Sequence, residues 1–318
     1  MGAYVLQRLA LAIATVLAAT FLTYVLLRLV PGEPAQVILT RVFLQDQTAT
    51  VSQQDVAAIA DRFGLNAPLI VQYGRWLAGA LTGDLGHSIR TGRPVALELG
   101  WRLSATGLIA LLATLASLAL TFATVALKRS FPAPAAARGF ELLAVGSIAL
   151  PSFFLGVVLI ILFSLKLDWL PVSGFESWAH VVLPVAVLAL GQFGFNAILL
   201  DDTLNEALGA QHITTARAKG LGDRHILFTH ALPNALIPLI PYLALQFAFL
   251  IGGVVIVERL FSIPGLGAYL TDALDSHDGP AFLGAIGVIA LAVAVANLAA
   301  DLVLARVDPR IRLKRTAP

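Results

Sequence analysis

The sequence has no cysteine, and its only methionine is Met1. Disulfides, thiolate metal sites and cysteine nucleophiles are therefore excluded, and thioether ligand sets with them. Charge is scarce as well. Lys, Arg, Asp and Glu make up 13% of the 318 residues and hydrophobic residues 58%, against about 25% and about 45–50% in soluble globular chains. So few charges cannot cover a water-facing surface of this size. A soluble enzyme, a disordered chain and a nucleic-acid binder are ruled out, and a polytopic membrane protein remains. The formal net charge of +2 is the slight basic excess that cytoplasmic loops supply.

Signature motifs of catalysis are also missing. The sequence has no Gly-x-x-x-x-Gly-Lys-Ser/Thr phosphate loop, no HExxH, no GxSxG and no DxDxDG loop. The six histidines (His87, His180, His212, His225, His230 and His277) are scattered. His225 and His230 read as surface residues rather than a site. No cofactor is expected. The charges within apolar runs, Glu141 and Asp301, stand near the ends of those runs. A proton-driven carrier needs acids or bases at mid-span, and an intramembrane enzyme needs a His, Ser or Asp cluster there. Their lack points to an external source of energy.

What is present is long apolar runs. A helix needs about 20 mostly apolar residues to cross the hydrocarbon core. Six segments qualify: Leu9 to Val30, Ser104 to Leu127, Glu141 to Leu165, His180 to Leu200, Pro233 to Val257 and Ala281 to Ala305. The fold class is all-α, with kinks expected at Pro151, Pro238 and Pro241. The first run exceeds the apolar core of about 7–15 residues of a signal peptide and reads as a span. With the N-terminus inside, the inner segments collect Arg8, Lys128, Arg129, Arg138, Arg217, Lys219, Arg224, Arg306, Arg310, Arg312, Lys314 and Arg315. The short outer loops hold Lys166 and Arg259 among six acids. This bias places both termini in the cytoplasm.

Two connections exceed the usual length of about 2–8 residues. The first, residues 31–101, lies outside. It contains a helical pattern from Ser52 to Phe63, capped by Ser52 and stopped by Gly64, and a second piece from Pro68 to Leu81. Tyr73 and Trp76 of that piece suit a membrane interface. The loop is read either as a lid on the bundle or as a docking surface for a partner. The second, residues 201–232, lies inside. Gly209 breaks a helix there, a short helix follows from Ile213 to Ala218, Gly220 and Gly222 stop it, and Asp223 caps a third piece ending at Ala231. A short helix between glycine hinges suits a knob for a cytoplasmic partner, or an interfacial helix on lipid headgroups with Arg217 and Lys219 snorkelling.

The segment Thr214-Thr-Ala-Arg-Ala-Lys-Gly-Leu221, followed by His230-Ala-Leu-Pro-Asn234, resembles the cytoplasmic EAA loop of ABC importer permeases, in the branch serving oligopeptides, dipeptides and nickel. The resemblance runs through nearly the whole chain in order. Pro31-Gly-Glu-Pro34 closes the first span. Gly64-Leu-Asn-Ala-Pro68 with Gln72-Tyr-Gly-Arg-Trp76 is similar to GLDxPLxxQYxxWL. Gly83-Asp-Leu-Gly-His-Ser88 with Arg93-Pro-Val95 is similar to GDLGxSxxxxxPV. Trp169 to Gly174, Leu183-Pro184, Gly252 to Gly267, Asn297, Asp301 and Asp308 to Arg312 complete the series. The chain departs from the family at Ser104, where a proline is usual, and at Thr121 to Ala126, where Gly-x-x-x-Gly is usual. It departs again at Asp201 and Asp202, where arginines are common; these acids are expected to move the local potential at the cytoplasmic mouth towards negative.

The resemblance implies the type I (MetI-like) permease architecture and a chain that is not itself an enzyme. It divides the chain into a tail and first span (1–30), an outer loop (31–101), a five-helix core (102–308) and a tail (309–318). It implies that the short inner helix seats in an ATP-binding cassette subunit, through Thr214, Thr215, Ala216, Arg217, Lys219, Gly220, Leu221, Leu232 and Pro233. Ala216 and Gly220 are small, as a close approach to that partner requires, and Gly220 permits φ > 0. The implied partners are ATPase subunits on the cytoplasmic side, a second homologous permease and an extracytoplasmic binding protein, with the chain embedded in lipid of the cytoplasmic membrane. The implied substrate is a di- or oligopeptide. Nickel or a metal chelate is the alternative, to which Asn196 in Gly191 to Leu200 gives a slight lead.

Overall fold

The computed structural model describes residues 2–29, 67–131 and 133–307. The expected helix from Ser52 to Phe63 and the motif from Asp308 to Arg312 lie outside the described residues. All the regular elements described are helical, apart from a single bridge between His87 and Pro94. In chain order they are α1 (Gly2–Leu29), α2 (Leu69–Leu81), α3 (Val95–Ser130), α4 (Pro134–Ala149), α5 (Ser152–Leu159, continued by a π-helical stretch Ile160–Lys166), α6 (Trp178–Gly209) and α7 (Gln211–Ala218). There follow α8 (Asp223–Ile226, continued by a π-helical stretch Leu227–Ala231), α9 (Leu232–Gly253), α10 (Val255–Leu260), α11 (Leu266–Asp275) and α12 (Gly279–Val307).

Five of the six expected spans are single helical runs long and apolar enough to cross a membrane: Val5–Leu27, Val95–Ser130, Trp178–Gly209, Asp223–Gly252 and Gly279–Arg306. The third is a broken pair, with α4 and α5 meeting at 104°. Pro151 does more than the kink expected of it. Its ring disfavours the helical conformation of the residue before it, and Leu150 (φ −87°, ψ 122°) and Pro151 (ψ 136°) are both extended. Pro238 and Pro241 instead sit inside a continuous α9, and Pro184 inside α6.

Two helices outrun the bilayer. At 1.5 Å per residue, the 36 residues of α3 and the 32 of α6 reach about 54 and 48 Å, against a hydrocarbon core of about 30 Å. Trp101 near the start of α3 and Trp178 at the start of α6 are 61% and 71% exposed, as indoles at a membrane interface are. About 20 residues onward from each indole completes the hydrocarbon crossing, and the first charges beyond that length are Lys128 of α3 and Asp201 of α6. The surplus of α6 therefore projects beyond the membrane and carries α7.

The core has two storeys. One, at the Trp101 end, gathers Val95, Leu99, Val187, Leu266, Tyr269 and Ala285. The other, at the Lys128 end, gathers Val125, Phe140, Phe193, Leu200, Leu204 and Leu239. In lipid, helices associate through small residues and interhelical hydrogen bonds rather than through the hydrophobic effect. The α3–α6 seam follows this rule. Asn196 Nδ2 donates to Ser117 Oγ at 2.9 Å, and Thr114 Oγ1 donates to Gln192 Oε1 at 3.4 Å. Tyr73 of α2 is buried against α1, within hydrogen-bonding distance of Thr20 Oγ1 (2.9 Å) and edge-on to Phe21. It is thus a packing residue rather than the interfacial anchor expected.

Candidate functional site

The segment from Asp201 to Leu232 is compact. α6 ends at Gly209, the single extended residue Ala210 turns the chain, and α7 begins at Gln211. Ile213 and Ile226 are fully buried and enclose Ala216, with Leu208 of α6 packed against them. This apolar knot ties α7 to both of its neighbours. Gly220 adopts φ +80°, the left-handed conformation that a side chain disfavours. Its N–H donates to the Arg217 carbonyl at 2.9 Å, and Leu221 N–H donates to the Ala216 carbonyl at 3.2 Å. Asp223 is the first residue of α8 rather than its cap, and its carboxylate meets Arg217 Nε at 3.3 Å.

The expected contact residues divide into groups. Thr214, Thr215, Arg217, Lys219, Gly220 and Leu221 are exposed and together form the outer face of α7 and its turn. Ala216 faces inward, so its small size serves the packing of the loop itself. Leu232 is half-buried against the second core cluster. Pro233 is exposed as the second residue of α9 and follows directly on the π-helical stretch Leu227–Ala231. The rings of His225 and His230 lie edge to face, with centroids 6.0 Å apart. Among the described residues, no three His, Cys, Asp or Glu side chains form a group able to hold a metal ion.

A stalked knob of this kind, on a bundle of five or six spans, is a feature that known proteins can be compared with. Residues 131–313 match the family model of the binding-protein-dependent transport system inner membrane component, and residues 1–102 match that of its N-terminal part. The chain belongs to this family of ABC importer permeases. It is similar over 98% of its length to three relatives. They are a probable peptide ABC transporter permease protein of Sinorhizobium fredii (34% identical, 100% of that protein covered) and the glutathione transport system permease protein GsiC of Salmonella paratyphi A (34%, 99%). The third is the oligopeptide transport system permease protein AppB of Bacillus subtilis (33%, 99%). Its fold is similar to that of a chain in the inward-facing MetNI methionine ABC transporter, with a TM-score of 0.54, 18% identity, and coverage of 66% of this chain and 96% of that one.

The permease is thus a multi-pass inner-membrane component and not an enzyme. As part of a binding-protein-dependent ABC system, it works with ATPase and binding-protein partners.

Three polar clusters depend on partners far apart in the chain, which no local pattern in the sequence carries. At the α7 end, one of the two acids expected to shift the mouth toward negative is neutralised. Asp202 is exposed, but Asp201 is buried and held by Lys128 Nζ at 2.8 Å and Arg129 Nη2 at 3.2 Å. At the opposite end, Glu258 is 2% exposed. Its Oε1 accepts from Thr106 Oγ1 at 2.6 Å and its Oε2 from Ala268 N at 2.8 Å. Close by, Asp278 Oδ2 accepts from Ser88 Oγ at 2.5 Å and from Arg90 N at 3.1 Å. These two acids pin the loop after α2 and the α10–α11 segment onto the starts of α3 and α12. The only signals in the sequence were Glu258 six residues before Pro264-Gly-Leu-Gly267 and a lone serine in the Gly83 to Ser88 motif.

Proposed function

We propose that the permease imports di- or oligopeptides, with both termini in the cytoplasm, paired with a second homologous permease and driven through α7 by the ATPase subunits. Likeness over essentially the full length to permeases named for peptide, oligopeptide and glutathione transport supports the substrate class. The Lys and Arg bias supports the orientation, and Arg8 paired with Asp301 at 3.1 Å joins α1 and α12 at the end so assigned. The lead toward nickel loses its residue. Asn196 is fully buried and bonded to Ser117 within the α3–α6 seam, which makes it a packing group. In proteoliposomes holding both permeases, the ATPases and the cognate binding protein, labelled peptide is expected to enter with ATP hydrolysis. Uptake of nickel without peptide would overturn the assignment.

Docking through α7 is supported by its exposed face of short and basic side chains above an internal apolar knot. Arg217 and Lys219 on that face contribute little through charge alone, since exposed pairs are worth about 0–1 kcal/mol; shape carries the contact. The chain's lack of cysteine allows a direct test. Lys219→Cys, bearing a maleimide–diazirine cross-linker, is expected to give an adduct with the ATPase subunit in the assembled complex. Asp275→Cys at the other end is expected to give none. An adduct from Asp275→Cys, or none from Lys219→Cys, refutes the docking and the orientation together.

A further inference from the structure

We propose that Asp201 is a positioning residue for transport. With Lys128 and Arg129 it clamps the stem of α7 onto the end of α3, so that α3, α4 and the projecting end of α6 move as one body. The proposal rests on the docking reading of α7 above.

One carboxylate joins α6 to α3, and Lys128 extends the link to α4. Asp201 Oδ2 takes Lys128 Nζ at 2.8 Å and Oδ1 takes Arg129 Nη2 at 3.2 Å. The same Arg129 Nη2 reaches Asn205 Oδ1 at 3.0 Å, one turn further along α6, and Asn205 Nδ2 donates back to Asp201 Oδ2 at 3.3 Å. The Lys128 ammonium lies 4.4 Å from the ring centroid of Phe140 on α4. The carboxylate is 8% exposed and the two cations 25% and 24%, so the cluster is sheltered from water on most sides.

The location gives the cluster its consequence. Asp201 stands where α6 leaves the membrane, and α7 follows the end of α6 after one residue. A push on α7 by the ATPases enters the bundle at this point. Apolar packing holds two helices together but lets them slide, whereas a carboxylate shared between an ammonium and a guanidinium has a defined geometry. Without the acid, two sheltered cations face each other with no counter-charge, and α6 is free to move without α3.

A purely stabilising role and a transmitting role differ in what they leave intact. In the reconstituted complex, Asp201→Asn is expected to retain its ATPase subunits. Stimulation of ATP hydrolysis by loaded binding protein is expected to fall about fivefold or more, the scale of a lost coupling between sites. Asp201→Lys combined with Lys128→Asp keeps the charges of the cluster and is expected to restore most of that stimulation. Wild-type stimulation in Asp201→Asn overturns the clamp, as does an assembled exchange variant that stays unstimulated. Should both variants fail to assemble, spin labels at Ser130→Cys and Glu206→Cys decide. A separation unchanged between nucleotide-free and ATP-trapped complexes supports one moving body, and a changed separation overturns it. Failure of the docking reading shows separately, as absence of the Lys219→Cys adduct.

Discussion

Gly194→Ala is expected to lower the melting temperature and the yield of folded permease, while Gly191→Ala, three residues earlier in the same helix, is expected to raise or preserve both. Adding a methyl group to a glycine inside a helix favours the helix by about 1 kcal/mol. At Gly191 a Cβ meets nothing within 4 Å, so that gain stands alone. At Gly194 a Cβ would overlap the Ala144 carbonyl oxygen and the Ser147 hydroxyl of α4 and come within 2.7 Å of Ile148 Cγ1. The hydroxyl can rotate away, but the carbonyl belongs to a helix and cannot. Relief requires moving α4 bodily off α6, and overpacking of that kind costs about 1–3 kcal/mol, which exceeds the propensity gain. A larger side chain, as in Gly194→Leu, should prevent assembly. Equal melting temperatures for the two alanine variants would show that α4 and α6 do not cross at this glycine.

Glu258→Ala is expected to abolish uptake and release the segment from Phe261 to Asp278, with ATPase docking at the far end retained. Both carboxylate oxygens are used, one by the Thr106 hydroxyl and one by the Ala268 N–H. Thr106 Oγ1 in turn accepts from Leu266 N at 2.8 Å, so a single acid orders two backbone donors of α11. Hydrogen bonds to a charged group contribute about 1.5–3 kcal/mol each. Losing two, and leaving their donors buried, costs on the order of 3–5 kcal/mol. Gly265 packs directly on the carboxylate, and a Cβ there would overlap it; Gly265→Ala should therefore reproduce the defect. Glu258→Gln keeps the shape and can keep both contacts, its amide oxygen accepting from Ala268 N and its amide nitrogen donating to the Thr106 hydroxyl in place of the bond Thr106 now donates, so only a small loss is expected. Protease resistance of the α10–α11 segment and peptide uptake are the two measurements. Wild-type values of both in Glu258→Ala would remove the acid from any role in holding this end closed.

Local properties were legible in the sequence. A run of about 20 apolar residues must form a helix in lipid, because no water is there to satisfy the backbone; the five continuous spans follow from that alone. Gly220 marks a helix end through its own backbone preference and does adopt φ +80°, while Gly209 stays helical as the last residue of α6 and the chain turns at Ala210. The order of motifs from Pro31 to Arg312 was enough to name the family. Pairings were not legible. Lys128 and Asp201 are 73 residues apart, Thr106 and Glu258 152, and Ser88 and Asp278 190. No periodicity connects such residues, so Asp201 read as a free negative charge and Glu258 as one motif letter. The inward face of Ala216 was hidden for the same reason, since Ile226, which closes over it, comes after the glycine turn. Pro151 announced a bend, but whether a proline bends a helix or breaks it depends on what its neighbours pack against. Pro151 separates two helices at 104°, whereas Pro238 and Pro241 leave α9 whole. Composition and local chain stiffness thus determined how many apolar spans there are and roughly where they end. The tertiary structure alone decided which buried charge meets which partner, because that depends on how helices far apart in sequence are brought side by side.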